Sequence, residues 1–297
     1  MIRADFRIVL FTTILALLFL ASCQKNNLQP GIPAFITVES LGLTTDYSIQ
    51  GSNSHKITDV WVYVDDQSIG AFEIPATIPV LKEGTGTLRL QPGIKLNGIA
   101  STRIPNPFYK PIIINNFNFI PDSIIKVGGT SIYYENVAFA WMEDFEGVSI
   151  SIDTTSKSKT KMVLTPSGTD QTFEGAHSGK IELDSDHNLF EGASFQAFAL
   201  PTDGTPVAIE MDYKNNSMFT VGIFAQSASQ IIQDPVIYLN PKDDWNKIYI
   251  NLTNKLWQDS QDILDYKIFF GAVLQGDETE ATILIDNIKL IYRRIGK

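Results

Sequence analysis

The sequence predicts an all-β protein built as two β-sandwich domains. Three observations carry this. Apolar residues fall in short alternating runs separated by Gly, Pro, Asn and Asp, the pattern of strands joined by turns. No window has the period of a long amphipathic helix, and the best candidate for a short one is Asn254–Leu264. Hydrophobic residues make up 44% and charged residues 19%, which suits a folded chain, and 297 residues suffice for two cores.

The N-terminus is read as a signal peptide over residues 1–22. Arg3 and Arg7 against Asp5 give a basic start. An apolar run from Ile8 to Leu20 follows, shorter than the roughly 20 residues a spanning helix needs. It ends in Leu20-Ala21-Ser22-Cys23. This resembles the lipobox of bacterial lipoproteins, which implies that Cys23 carries the lipid and becomes the first mature residue. Small residues at 21 and 22 admit the backbone to a peptidase cleft, and only a thiol forms the thioether. Cys23 is the only cysteine, which excludes a disulfide framework and a cysteine metal cluster. The lipid chains of such a protein, two or three together, make membrane attachment stable.

Residues 23–31 form a polar, turn-rich tether. Gln24-Lys25 resembles the start of the surface-export motif of Bacteroidota lipoproteins. Asn26 and Asn27 stand where that motif has acids, so both faces of the outer membrane stay open.

Residues 32–127 form the first expected domain. Val60, Val62 and Val64 face one side of a strand, and Trp61 and Tyr63 the other. Asp65-Asp66 supplies a turn, and Ser68–Ile74 returns. Pro75 and Pro79 suit an edge or a crossing between sheets. Thr87–Gly98 reads as a strand, a Pro92-Gly93 turn and a second strand, and Ile112–Ile120 adds another. Over residues 59–98 this resembles the small PEGA-like or immunoglobulin-like sandwich modules of bacterial surface proteins. The resemblance implies a spacer or protein-contact module. Trp61 and Tyr63 either cover a second sheet or form a ligand platform. Residues 128–137, opening with Val127-Gly128-Gly129, are read as a linker.

Residues 138–297 form the second domain. Trp141-Met-Glu-Asp-Phe-Glu-Gly147 opens it, and Ala281-Thr-Ile-Leu-Ile-Asp-Asn-Ile-Lys-Leu-Ile-Tyr292 closes it. Gly175-Ala-His-Ser-Gly-Lys-Ile-Glu-Leu183 and Asp244-Trp-Asn-Lys-Ile-Tyr-Ile-Asn-Leu252 lie between. In this order the motifs resemble the galactose-binding-like jelly roll of many carbohydrate-binding modules. The resemblance implies a structural Ca²⁺ held by Glu146 and Asp286, with backbone carbonyls and Asp144 or Ser178 completing six to eight oxygens. Without a metal, Asp286 would bond local backbone instead. The resemblance also implies a glycan ligand stacked on aromatic faces and bonded by amides and carboxylates. Trp257, in a polar loop-like stretch, Tyr213 and Tyr238 are the candidate ligand residues. Trp245 is expected in the core.

Charge is uneven. Residues 24–137 hold 8 Lys and Arg against 9 Asp and Glu, and residues 138–297 hold 13 against 23. An acidic second half argues against nucleic acid as a partner. His55, His177 and His187 match no metal or nucleophile motif, and no Gly-x-Ser-x-Gly or phosphate-cradling loop appears. The expectation is a non-catalytic, outer-membrane lipoprotein whose jelly roll binds glycan. The alternative is an accessory subunit whose partner is an envelope protein.

Overall fold

A computed structural model describes residues 31–258 and 262–294. The expected signal peptide, Cys23 and the tether up to residue 30 lie outside them. The fold is all-β, with two sandwiches in sequence.

In the first sandwich, β1 (Ala34–Leu43) is the middle strand of a three-stranded sheet. It pairs antiparallel with β4 (Ala76–Val80) and parallel with β8 (Ile124–Ser131). The facing sheet holds β2 (Asp59–Val64), β3 (Gln67–Glu73), β5 (Gly84–Lys95), β6 (Arg103–Pro105) and β7 (Ile112–Phe119). Ile36 and Val38 of β1 meet Val60, Val62, Leu88 and Leu90 in one core. The β2–β3 hairpin turns through Asp65 and Asp66, both at positive φ (47° and 63°). That is the turn geometry whose twist matches two right-twisted strands, and Asp tolerates it.

Three local expectations need correction. Pro92-Gly93 is not a turn: β5 runs through it, pairing Pro92 with Val60 and Gly93 with Asp59. On the other edge of β5, β7 pairs only as far as Leu90 and β6 begins at Gly93. Pro92 therefore sits where neither strand requires its missing N–H. Gly93 has its own reason: a Cβ there would stand 2.3 Å from Cζ3 of Trp61, whose ring lies over this glycine. Trp61 and Tyr63 thus cover their own sheet rather than a second one. The Arg89 guanidinium caps Tyr63 at 3.9 Å from the ring centre. Finally, the expected linker 128–137 begins as strand, because Gly129 to Ser131 continue the parallel ladder with β1. Only residues 132–136 pass between the sandwiches, and Tyr133 among them is buried.

The second sandwich opposes a five-stranded sheet and a six-stranded sheet. The five strands run β10 (Ile152–Thr154), β13 (Leu189–Ser194), β18 (Ile263–Val273), β15 (Phe219–Ser227), β16 (Ile231–Leu239). The other sheet runs β11 (Val163–Leu164), β12 (Gly179–Asp184), β19 (Glu280–Arg293), β14 (Val207–Asn215), β17 (Lys242–Asn251), with β9 (Val137–Glu143) also on β19. The 14-residue β19 serves two neighbours on one edge: its first half pairs with β12 and its second with β9. Asp286-Asn287 marks the changeover. Asn287 takes φ 49° and the core-facing phase slips there, so that Ile283 and Ile285 are followed inward by Ile288 and Leu290.

The outer face of the six-stranded sheet is covered by the first sandwich. Ala208, Tyr249 and Ile291 belong to the first domain's core. Charged residues share this face. Glu210, Asp212, Lys247 and Lys289 are all buried. Burying charges demands partners. Tyr133 donates to Glu210 Oε2 at 2.7 Å, Lys247 bridges Asp212 at 3.2 Å, and Ser54 donates to Asp212 Oδ1 at 2.8 Å. Lys289 Nζ donates to the Ser52 carbonyl at 2.5 Å. Burial, and next the charge of Glu210, raise the Tyr109 and Tyr133 phenols, keeping them donors. Burial pushes the Lys289 amine down to about 8, against the opposing pull of Glu210.

Candidate functional site

The two broad faces of the second sandwich offer little room for a ligand. One is the covered face just described. On the other, Phe224 and Phe269 stack at 4.8 Å. Gly222 is glycine because a Cβ would stand 2.4 Å from the Phe269 ring. Glu191 accepts from Thr155 Oγ1 and from Gln233 Nε2, both at 2.7 Å, while Lys157 reaches Gln233 at 3.1 Å. These side chains satisfy one another across the face.

An open cleft lies instead along the edge strands β16 and β17, where the first sandwich meets them. Its volume is about 410 Å³, within the roughly 300–1,000 Å³ of small-molecule sites. From the first domain come Lys56, Thr58, Lys95 and the turn Asn97-Gly98-Ile99. From the second come Tyr213, the stretch Ile237–Asn240, Lys242 and the stretch Asn246–Tyr249. Two local devices hold these parts together. Asn97, at φ 55°, accepts the backbone N–H of Asn251 at 2.8 Å on the open edge of β17. The Lys56 backbone N–H donates to the Tyr249 hydroxyl at 2.8 Å, which sets the Lys56 side chain at the cleft, where it bonds Asn246 Oδ1.

The cleft brings together two of the three aromatic residues expected at a ligand. Tyr238 is 59% exposed and offers its ring to solvent. Tyr213 is only 3% exposed, and its side chain belongs to the sandwich core while also lining the cleft. Burial pushes the Tyr213 phenol up, and a hydrogen bond with Asn246 acts in the opposite direction. Trp257 is exposed, at 64%, but it stands on a short helix, Thr253–Gln258, rather than in a loop, and is not part of the cleft lining. Trp245 is not in the core: it is half-buried on the covered face of the sheet, 5.3 Å from Phe173. Asn97, Asn240, Asn246, Lys56 and Lys242 were not expected. Asn97-Gly98 falls in an expected strand, and the others join it only through contacts between residues far apart in sequence.

The two expected calcium ligands hold one loop from two sides. Glu146 Oε1 accepts the N–H groups of Ala176 and His177 at 2.8 and 2.9 Å. Asp286 Oδ2 accepts from Ser178 Oγ at 2.6 Å, and Oδ1 from Asn287 N–H at 2.7 Å. N–H and O–H donors already occupy these oxygens. Among the described residues, no three carboxylate, histidine or cysteine side chains gather so as to hold a metal ion. Burial pushes the Asp286 carboxyl up to about 7, its hydrogen bonds opposing. His177 and His187 bond the Thr165 carbonyl and Asp184.

Among solved structures, a family 11 carbohydrate-binding module from Clostridium thermocellum, in complex with a β-1,3-1,4-mixed-linked tetrasaccharide, is similar over 50% of this chain and 92% of its own, at 15% identity and a TM-score of 0.34. A family 29 carbohydrate-binding module is similar over 52% and 87%, at 13% identity and a TM-score of 0.32. No protein-family model and no curated protein matches the chain.

Proposed function

We propose that this chain is a lipid-anchored, non-catalytic protein of the outer membrane that binds glycan in the cleft between its sandwiches. The observation that carries the reading is the lining itself. The exposed Tyr238 ring supplies a face for sugar C–H surfaces, and Asn97, Asn240 and Asn246 surround it with amides that both donate and accept. The lining includes no carboxylate. Glycoside hydrolysis by the usual route needs a pair of them, so recognition without cleavage suits this site. Cys23, read from the sequence, supplies the anchor, and residues 24–31 tether it to β1.

The test is a glycan array with the full-length protein and its Tyr238→Ala variant. Binding lost in the variant, with an unchanged melting temperature, is the expected result. A full set of glycans bound by neither protein would overturn the reading. For the anchor, Cys23→Ala is expected to move the protein out of the membrane fraction, and continued tight attachment would refute lipidation.

A second reading, an accessory subunit docked on an envelope protein, has one observation in its favour. Ile32, Leu81, Ile120 and Ile124 are exposed around the point where the chain enters β1. Pairing of Ala34 with Val80 and of Phe35 with Ile124 brings them to the same end of the domain. Apolar groups concentrated beside a tether suit contact with a neighbouring surface.

A further inference from the structure

We infer that the glycan taken by this cleft is anionic, carrying a carboxylate or a sulfate that sits between Lys56 and Lys242. This rests on the glycan reading above and deepens it. The cleft is lined by four lysines and no acid, in a chain whose net charge is −10. So local a reversal of sign is a selective field for an anion. Two of the lysines are neutralised from outside the lining: Lys247 by Asp212 at 3.2 Å and Lys95 by Glu73 at 2.7 Å. Lys56 and Lys242 have no carboxylate partner among the described residues. The Lys56 amine is lowered by burial, then by the charges of Lys242 and Lys95. Lys56 and Lys242, both on the lining and both without a carboxylate partner, therefore repel one another, and an anion between them would relieve that repulsion. Of the neutral parts of the lining, the Tyr238 ring and the Asn240 amide are left to hold the sugar ring and its hydroxyls.

The test uses the full-length protein and matched pairs of oligosaccharides by calorimetry. One pair is an oligogalacturonate and its methyl ester, which keeps the backbone and removes the charge. The other is a sulfated galactan oligosaccharide and its desulfated form. Inorganic sulfate alone is a further probe. The expected result is at least about tenfold tighter binding of one charged member over its neutral partner, weakening with added salt. Lys56→Gln with Lys242→Gln should abolish the preference, so that the charged member binds no more tightly than its neutral partner. Which pair responds separates carboxylate from sulfate. Equal binding of charged and neutral members would overturn the inference and leave glycan binding standing. Sulfate bound through the two lysines, with no sugar bound at all, would overturn the glycan reading and leave the anion site. Binding of none of these probes would overturn both.

Discussion

The domain interface makes the sharpest quantitative prediction, through Tyr133→Phe. Tyr133 is 2% exposed, and its hydroxyl gives Glu210 a hydrogen bond of 2.7 Å. Phenylalanine keeps the ring contacts with Tyr109 at 5.1 Å and Phe139 at 4.9 Å, so packing is unchanged. What is lost is one donor to a buried carboxylate and a long acceptor, at 3.4 Å, for the buried Lys289 amine. Tyr109 is the other phenol in reach, at 3.4 Å, and cannot replace it without moving. A hydrogen bond to a charged group contributes about 1.5–3 kcal/mol, and the buried site gives the lower half of that range no screening from water. Urea denaturation should show a loss of about 2 kcal/mol, appearing as a lower midpoint with an unchanged slope. A double-mutant cycle with Glu210→Gln isolates the contact, with an expected coupling of about 1 kcal/mol or more. A loss under about 0.5 kcal/mol, within the usual range of inert surface substitutions, together with zero coupling, would refute the view that these buried charges are held by cross-domain donors.

Three further outcomes are expected. Gly93→Ala forces a methyl into the Trp61 ring and should cost about 1–3 kcal/mol, as overpacking does; a melting temperature equal to wild type would show that the ring moves freely. Lys289 is lowered from 10.5 to about 8 in the folded state, so below pH 8 both states are protonated and the fold carries the cost of a buried charge. As pH rises from 8 towards 10.5 the folded state sheds its proton first and that cost is relieved. Relative to Lys289→Met, wild type should therefore gain about 2 kcal/mol between pH 7.5 and 10, and a constant difference across that window would contradict it. Because protein donors already occupy Oε1 of Glu146 and both oxygens of Asp286, chelator should leave the thermal midpoint unchanged; a fall of several degrees would instead reveal a bound cation.

Much of the fold was legible because strand alternation and turn chemistry are local. The β2–β3 hairpin could be read from three alternating valines and an Asp-Asp turn, and β19 from its spaced isoleucines. Pro92-Gly93 misled because a turn dipeptide is also tolerated inside a strand wherever no neighbour needs the proline N–H. Trp245 misled because alternation says that two faces exist but not which one meets the core, and a second domain can cover the outer face as well.

Composition and local pattern alone determined the β class, the two-part division and the single cysteine on which the anchor reading depends. The family resemblance added Tyr238 to the candidate aromatics, but the polar stretch pointed to Trp257, which lies outside the cleft lining. Only the tertiary structure decided that one face of the second sandwich is closed by the first. The same docking brings Lys56 and Asn97 beside Tyr238, Lys242 and Asn246 and leaves a cleft of positive sign on an acidic protein. The physical reason is range. Strands and turns follow from neighbours in sequence. A cleft assembled from residues 56–99 and 213–249 exists only once two separate cores have docked and their buried charges have found partners.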